Sequence, residues 1–234
     1  MQNIFNHTHQ KIWSVKKNLT RKLLYLIFMC SSLSLLIYTQ SANAHPHAWI
    51  DLRVTVLLDE GGMVTGLEQE WRFDNFYTLF ITEDVVRKGQ DQKKALTALA
   101  DTNLKGLSAF DYFTDARIDG KKLKFKTVDV FESHIRDGRL WMRFVLPFSN
   151  PVDASEKQLT FAIYDPTYYV EILHLKDDII AFRGPSSNQC VGKIVPPRPT
   201  IEAVMLARAL DREATPDKSL GRMFAEHVNV ICPR

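Results

Sequence analysis

The 234-residue sequence predicts an α+β domain built mostly of antiparallel β-sheet, and three observations carry that expectation. Apolar and polar residues alternate through positions 46 to 58 and again through 63 to 73, with Asp59-Glu60-Gly61-Gly62 between, which reads as two half-buried strands joined by a hairpin. Asp119-Gly120 and Asp137-Gly138 each sit between strand-like segments, and such pairs supply the positive φ that tight hairpin turns require. Helical stretches are inserted among the strands and one is appended near the C-terminus. The hairpins are open to folding over as a sandwich.

Residues 1 to 44 stand apart. They hold Lys11, Lys16, Lys17, Arg21 and Lys22 and no acidic residue, then an apolar run from 23 to 38, then Ser41-Ala42-Asn43-Ala44. That order predicts a secretory signal peptide cut after Ala44, in preference to a single-pass anchor. Bulky Phe28 and Met29 before Cys30 argue against lipid attachment there. The expectation is a periplasmic mature chain, residues 45 to 234, forming a single domain that is not inserted in the membrane.

Five of the 30 basic residues leave with the leader, so 25 face 27 acidic ones and the formal charge of +3 becomes about −2. Nothing in that balance favours nucleic acid or anionic lipid as a partner. Cys190 and Cys232 are then the remaining cysteines, and an even pair in an exported chain predicts a disulfide. It would close a loop of about 43 residues and stabilise by ~3 to 4 kcal/mol on the loop-entropy account.

In the first strand the even positions from Pro46 to Leu58 form the apolar face, while His45, His47, Trp49, Asp51, Arg53 and Thr55 form the other. A hairpin symmetric about the Glu60–Gly61 bond pairs Val54 with Leu67, Ile50 with Trp71, Arg53 with Glu68, Trp49 with Arg72 and His47 with Asp74. Residues 76 to 86 and 92 to 110 read as helices, the second carrying part of an apolar stripe at Leu96, Leu99, Leu104 and Leu107. A two-residue turn at Asp137-Gly138 pairs Glu132 with Arg143, His134 with Trp141 and Phe131 with Phe144. Residues 158 to 164 form a strand with Leu159, Phe161 and Ile163 inward, and a turn at Asp165-Pro166-Thr167 leads into a strand over 168 to 175. A short strand over 178 to 182 precedes a loop over 185 to 199. Thr200 caps a helix from 201 to 212 whose apolar side holds Ile201, Val204 and Met205. A helical turn over 219 to 224 and a strand over 228 to 232 close the chain.

Chemistry concentrates at the start of the mature chain. Cleavage after Ala44 makes His45 the first residue, and its α-amine and imidazole can chelate one borderline metal ion such as zinc, nickel or copper. The square-planar mode that uses a deprotonated nitrogen of the second residue is closed, because Pro46 has no N–H. His47 shares the strand face of His45 and can complete the site. Asp74 would ligate or orient His47, and His134 is a further candidate because Glu132 and Arg143 share its face. His174 and His227 read as structural. The sequence contains no G-x-S-x-G, H-E-x-x-H, P-loop or dinucleotide fingerprint, so the chain is not expected to be an enzyme.

The segments His45-Pro46-His47-Ala48-Trp49-Ile50, Trp71-Arg72-Phe73-Asp74, Phe110-Asp111-Tyr112-Phe113-Thr114 and Tyr164-Asp165-Pro166-Thr167-Tyr168-Tyr169, with Cys190 and Cys232, resemble a family of exported bacterial proteins built on a domain of unknown function. Its members are often labelled periplasmic components of ABC-type transport systems, and they include ZevA-like zinc-uptake proteins encoded beside nickel/cobalt-type permeases. The resemblance implies a metal-handling partner of an inner-membrane permease, with zinc first and nickel, cobalt or copper as alternatives. Only His45 and His47 carry over as a metal-binding motif. Two other readings stand beside it: a copper protein or oxidative enzyme using an N-terminal histidine chelate, and a structural or assembly protein of a transport system.

Overall fold

Two sheets face each other across one apolar core in the computed structural model, which describes residues 48–175, 180–185, 187–209 and 219–233. The described strands are β1 (Ala48–Leu58), β2 (Val64–Phe73), β3 (Thr114–Ile118), β4 (Lys121–Lys122), β5 (Phe131–Arg136), β6 (Arg139–Val152), β7 (Leu159–Ile163), β8 (Val170–His174), β9 (Ala181–Arg183), β10 (Val191–Val195) and β11 (His227–Ile231). Helices α1 (Asn75–Arg87) and α2 (Gln92–Leu107) separate β2 from β3, and α3 (Ile201–Ala209) and α4 (Leu220–Phe224) precede β11. The first sheet has the order β5-β6-β2-β1-β8, with β9 also against β1, and the second has the order β10-β11-β7-β3-β4. The α+β class with mostly antiparallel pairing is therefore present. The exceptions are β8 and β9, which both run parallel to β1.

Alternation delivers the core as expected. Ile50, Leu52, Val54 and Val56 from β1, Leu67 and Trp71 from β2, and Phe144 and Leu146 from β6 meet Leu159, Phe161, Val228 and Val230 of the second sheet. The Asp137-Gly138 turn has φ of 50° and 74°, and β5 pairs with β6 in the expected register, His134 opposite Trp141 and Glu132 opposite Arg143. Asp119 and Gly120 build the same kind of turn between β3 and β4. Cys190 and Cys232 form the disulfide directly beyond the Val191–Ile231 pair, so the bond closes one end of the β10–β11 ladder.

Four expectations need correction. The first hairpin pairs Ile50 with Phe73, Leu52 with Trp71 and Arg53 with Glu70, two residues away from the symmetric register. Asp59 Oδ1 accepts the N–H groups of Gly61 and Met63, which makes a longer loop than a symmetric turn, and an irregularity opposite Leu57 and Leu58 adds one more residue. An even shift keeps every residue on its face, and it brings Asp74 opposite Trp49, while His47 lies outside the described residues.

Second, the 185 to 199 segment is not all loop, because β10 adds an edge strand to β11. Third, α3 buries Ala203 and Ala207, while Ile201 and Met205 face outward. The small residues let the helix approach the buried cluster of Tyr168 and Leu220 closely.

Fourth, α2 stops at Leu107. Asp111, Tyr112 and Phe113 follow in the left-handed region, with φ of 52°, 55° and 58°. Each such residue costs roughly 1 to 2 kcal/mol, and the surroundings hold the turn in place. Buried Tyr112 accepts the Val128 N–H on its hydroxyl, Lys122 pairs with Asp111 at 2.7 Å, and Phe113 stacks on Trp71. A directional chain of hydrogen bonds runs under it: Trp71 Nε1 donates to Gln69 Oε1 at 3.0 Å, Gln69 Nε2 to Thr114 Oγ1 at 2.9 Å, and Thr114 Oγ1 to the Tyr112 carbonyl at 3.0 Å. That chain ties β2 of one sheet to β3 of the other. Gln69→Leu keeps the volume but orphans the indole N–H and removes the donor to Thr114. The expected loss is about 2 to 4 kcal/mol in urea unfolding, and a loss below roughly 1 kcal/mol would show that the chain is not holding the turn.

Candidate functional site

Of the four expected metal ligands, Asp74 and His134 fall among the described residues, and they stand apart. His45 and His47 lie outside the described residues, immediately before Ala48, where β1 begins. Asp74 is the N-cap of α1. Its Oδ1 accepts the N–H groups of Phe76 and Tyr77 at 2.7 and 2.9 Å, its Oδ2 accepts the Trp49 N–H at 3.0 Å, and its own N–H donates to the Trp49 carbonyl at 2.9 Å. One carboxylate thus fastens the entry of β1 to the start of α1. An aspartate just ahead of a helical stretch is itself a capping signature, so this role was readable from the residues.

His134 stands on the outer face of edge strand β5 with its ring 4.5 Å from that of Trp141, and the Arg136 guanidinium lies 5.7 Å from the same indole. Two inter-strand spacings, roughly 10 Å, separate β5 from β2, and Asp74 lies two residues along from Arg72, the β2 residue in line with His134 and Trp141. His134 and Asp74 therefore do not converge. Of the histidines read as structural, His227 is exposed in β11, and His174 is tied to Glu226. The Glu226 carboxylate takes the His174 backbone N–H at 2.6 Å and sits 2.8 Å from Nδ1, bridging β8 of one sheet to the segment entering β11 of the other. The other ring nitrogen, Nε2, is buried and has no hydrogen-bond partner among the described residues.

The outer face of the first sheet is a mosaic of guanidinium and carboxylate groups. Glu68, its side chain 3% exposed, accepts two bonds from Arg183 at 2.7 and 3.0 Å and one from Arg143 at 2.8 Å. Arg143 also reaches Glu132 at 2.7 Å. Asp51 Oδ2 holds both Arg72 and Arg139, and Trp141 Nε1 donates to Glu70. A shallow hollow of about 250 Å³ opens between Arg53, Arg72, Arg136 and Trp141. Because Asp51, Glu68 and Glu132 are already neutralised by arginine, this face does not present a ready cation site. Sequence reasoning missed Arg183 as a partner because it arrives on β9, more than a hundred residues from Glu68.

The Arg183 hydrogen bonds are the largest influence holding the Glu68 carboxyl below the ordinary glutamate value of 4.5, against the opposing pull of burial. A depressed folded pKa means that Glu68 contributes stability above 4.5 and that the contribution is lost as pH falls through the lower folded value. Unfolding free energy is expected to decline on acidification below that value, and Glu68→Gln should flatten the decline. Glu68→Ala should cost about 2 kcal/mol at neutral pH, less than the ~3 to 5 kcal/mol of a fully buried pair, because both arginines can reach water. Identical acid profiles for the wild type and Glu68→Gln would contradict this.

A Haemophilus influenzae protein described as uncharacterized is 27% identical over 192 residues, covering 81% of this chain and 91% of its own. An uncharacterized 15.5 kDa protein of Spirochaeta aurantia is 27% identical over 131 residues, 50% of this chain and 93% of its own. No solved structure matches. A model of the family described as protein of unknown function DUF1007 matches residues 30 to 232, and the chain belongs to that family.

Proposed function

We propose that this chain is an exported transition-metal-binding protein that passes its ion to an inner-membrane permease of nickel/cobalt type. Zinc is the first candidate, with nickel, cobalt and copper as alternatives. The supporting observation is the position of His45-Pro46-His47 directly ahead of a strand that is hydrogen-bonded along both edges and clasped at its entry by Asp74.

Among the described residues no group of three or more His, Cys, Asp or Glu side chains is placed to hold a metal. The donors assigned here are therefore the α-amine and imidazole of His45, freed by cleavage after Ala44, and the imidazole of His47. Such a set leaves coordination positions open, and an acceptor protein can fill them during transfer. Asp74 takes a supporting part, holding Trp49 and so the strand end that follows the two histidines. The role is binding and transfer rather than catalysis.

Titration of the processed protein with zinc, beside His45→Ala and a form bearing one extra N-terminal residue, tests the proposal. Both changes are expected to weaken binding by more than about tenfold, because each removes a nitrogen donor or alters its basicity. A different first residue in the mass spectrum of the exported form, or indifference of that form to zinc, nickel and copper, would overturn it.

A further inference from the structure

Helix α1 carries apolar side chains on two sides. Inward, Thr78 and Val85 are buried and Tyr77 and Ile81 pack against the core. Outward, Phe76 is 82% exposed, Phe80 67%, Leu79 59% and Val86 77%. A helix that is apolar all round is ordinarily covered all round, and a contiguous exposed patch of large apolar residues marks an interaction surface. The helix holds these side chains in place: Asp74 caps its first turn, and the Thr78 hydroxyl donates to the Asp74 carbonyl while accepting the Leu140 N–H. Phe76, Leu79 and Phe80 fall on one face at helical spacing. On the Tyr77 flank of the helix opens an apolar hollow of about 390 Å³, bordered by Phe73, Leu107, half-exposed Phe110 and Phe113.

The charges beside this patch indicate what covers it. Residues 83 to 94, which end α1 and begin α2, hold Arg87, Lys88, Lys93 and Lys94 against Glu83, Asp84 and Asp91, a local excess of one positive charge with the four cations gathered at the turn. Asp84 is shared between Arg87 at 2.7 Å and Lys88 at 2.6 Å, so one carboxylate answers two cations. Lys93 and Lys94 are exposed and enter no ion pair among the described residues. The net charge of the mature chain, close to neutral, conceals this local excess. Phenylalanine and leucine on one helix face, with lysine and arginine gathered at its end, match the chemistry of an interfacial helix on anionic lipid.

We propose that α1 and its turn into α2 seat this protein on an anionic membrane surface. Phe76, Leu79 and Phe80 enter the boundary between headgroups and acyl chains, and Arg87, Lys88, Lys93 and Lys94 meet the headgroup phosphates. Seating of this kind is peripheral and spans nothing. It is separate from metal binding at His45 and His47, and each can fail alone.

The test is co-sedimentation of the processed protein with vesicles of phosphatidylcholine containing about a quarter phosphatidylglycerol, beside pure phosphatidylcholine. The wild type should bind the anionic vesicles and lose binding as salt rises. Phe76→Ser with Phe80→Ser should lower the bound fraction by about tenfold or more, and Lys93→Glu with Lys94→Glu should remove the preference for phosphatidylglycerol. All four positions are exposed, so an unchanged melting curve checks the fold of both variants. The proposal is overturned by a wild type indifferent to lipid, by equal retention of the wild type and the phenylalanine variant, or by a wild-type dimer that this variant converts to a monomer. Retention only by vesicles carrying native membrane proteins would overturn it in favour of a protein partner.

Discussion

β1 is the constraint from which the other elements take their places. It is antiparallel to β2 and parallel to β8 and β9, so both of its edges are hydrogen-bonded. Its inward residues Ile50, Leu52, Val54 and Val56 are almost wholly buried, while Asp51 and Arg53 stand on the charged outer face. A strand committed on both edges and one face cannot slip by a residue without exposing its core set. Whatever precedes Ala48 is therefore attached to a fixed point, and Asp74 fastens that point to α1. The two sheets are joined by groups that are themselves directional: the Trp71–Gln69–Thr114 chain and the His174–Glu226 pair.

The carboxylates of the charged outer face are engaged within the sheet. Arginine occupies the carboxylates of β1, β2 and β5, which stabilises the sheet where Glu68 is buried and contributes little where partners are exposed. A metal ion needs donors that are not already engaged, and the account places those at the strand entry instead. The apolar side of α1 lies on the helix that Asp74 caps. A single aspartate thus connects the strand that follows the histidines with the helix assigned to the membrane surface.

Much of the fold was legible in the residues, and the failures have physical reasons. The β5–β6 register was readable because Asp137-Gly138 permits few turns and every opposed pair follows from a two-residue loop. The β1–β2 register was not, because Asp59 hydrogen-bonds its own loop and an extra residue enters β2, and neither leaves a trace in apolar alternation. The left-handed run from Asp111 to Phe113 was invisible for a similar reason: no local preference favours it, and it persists through contacts with Trp71, Val128 and Lys122. β10 is too short and too exposed to stand out from the loop around Cys190. On α3 the large apolar residues suggested the buried side, but close approach to Tyr168 and Leu220 favoured the alanines. Asp74 was singled out for the right position and given the wrong neighbour, since its partner in the first hairpin depended on the misplaced register.

The central claim is the proposal that the ion sits at the entry of β1. Amide relaxation in the processed protein on addition of paramagnetic Cu(II) reports that position directly. The account predicts line broadening centred on Ala48 and Trp49 and reaching Asp74 to Tyr77 across the clasp, with the amides around His134 and His174 left sharp. Broadening centred on His134 or on the His174–Glu226 pair, with Ala48 and Trp49 unaffected, would contradict it.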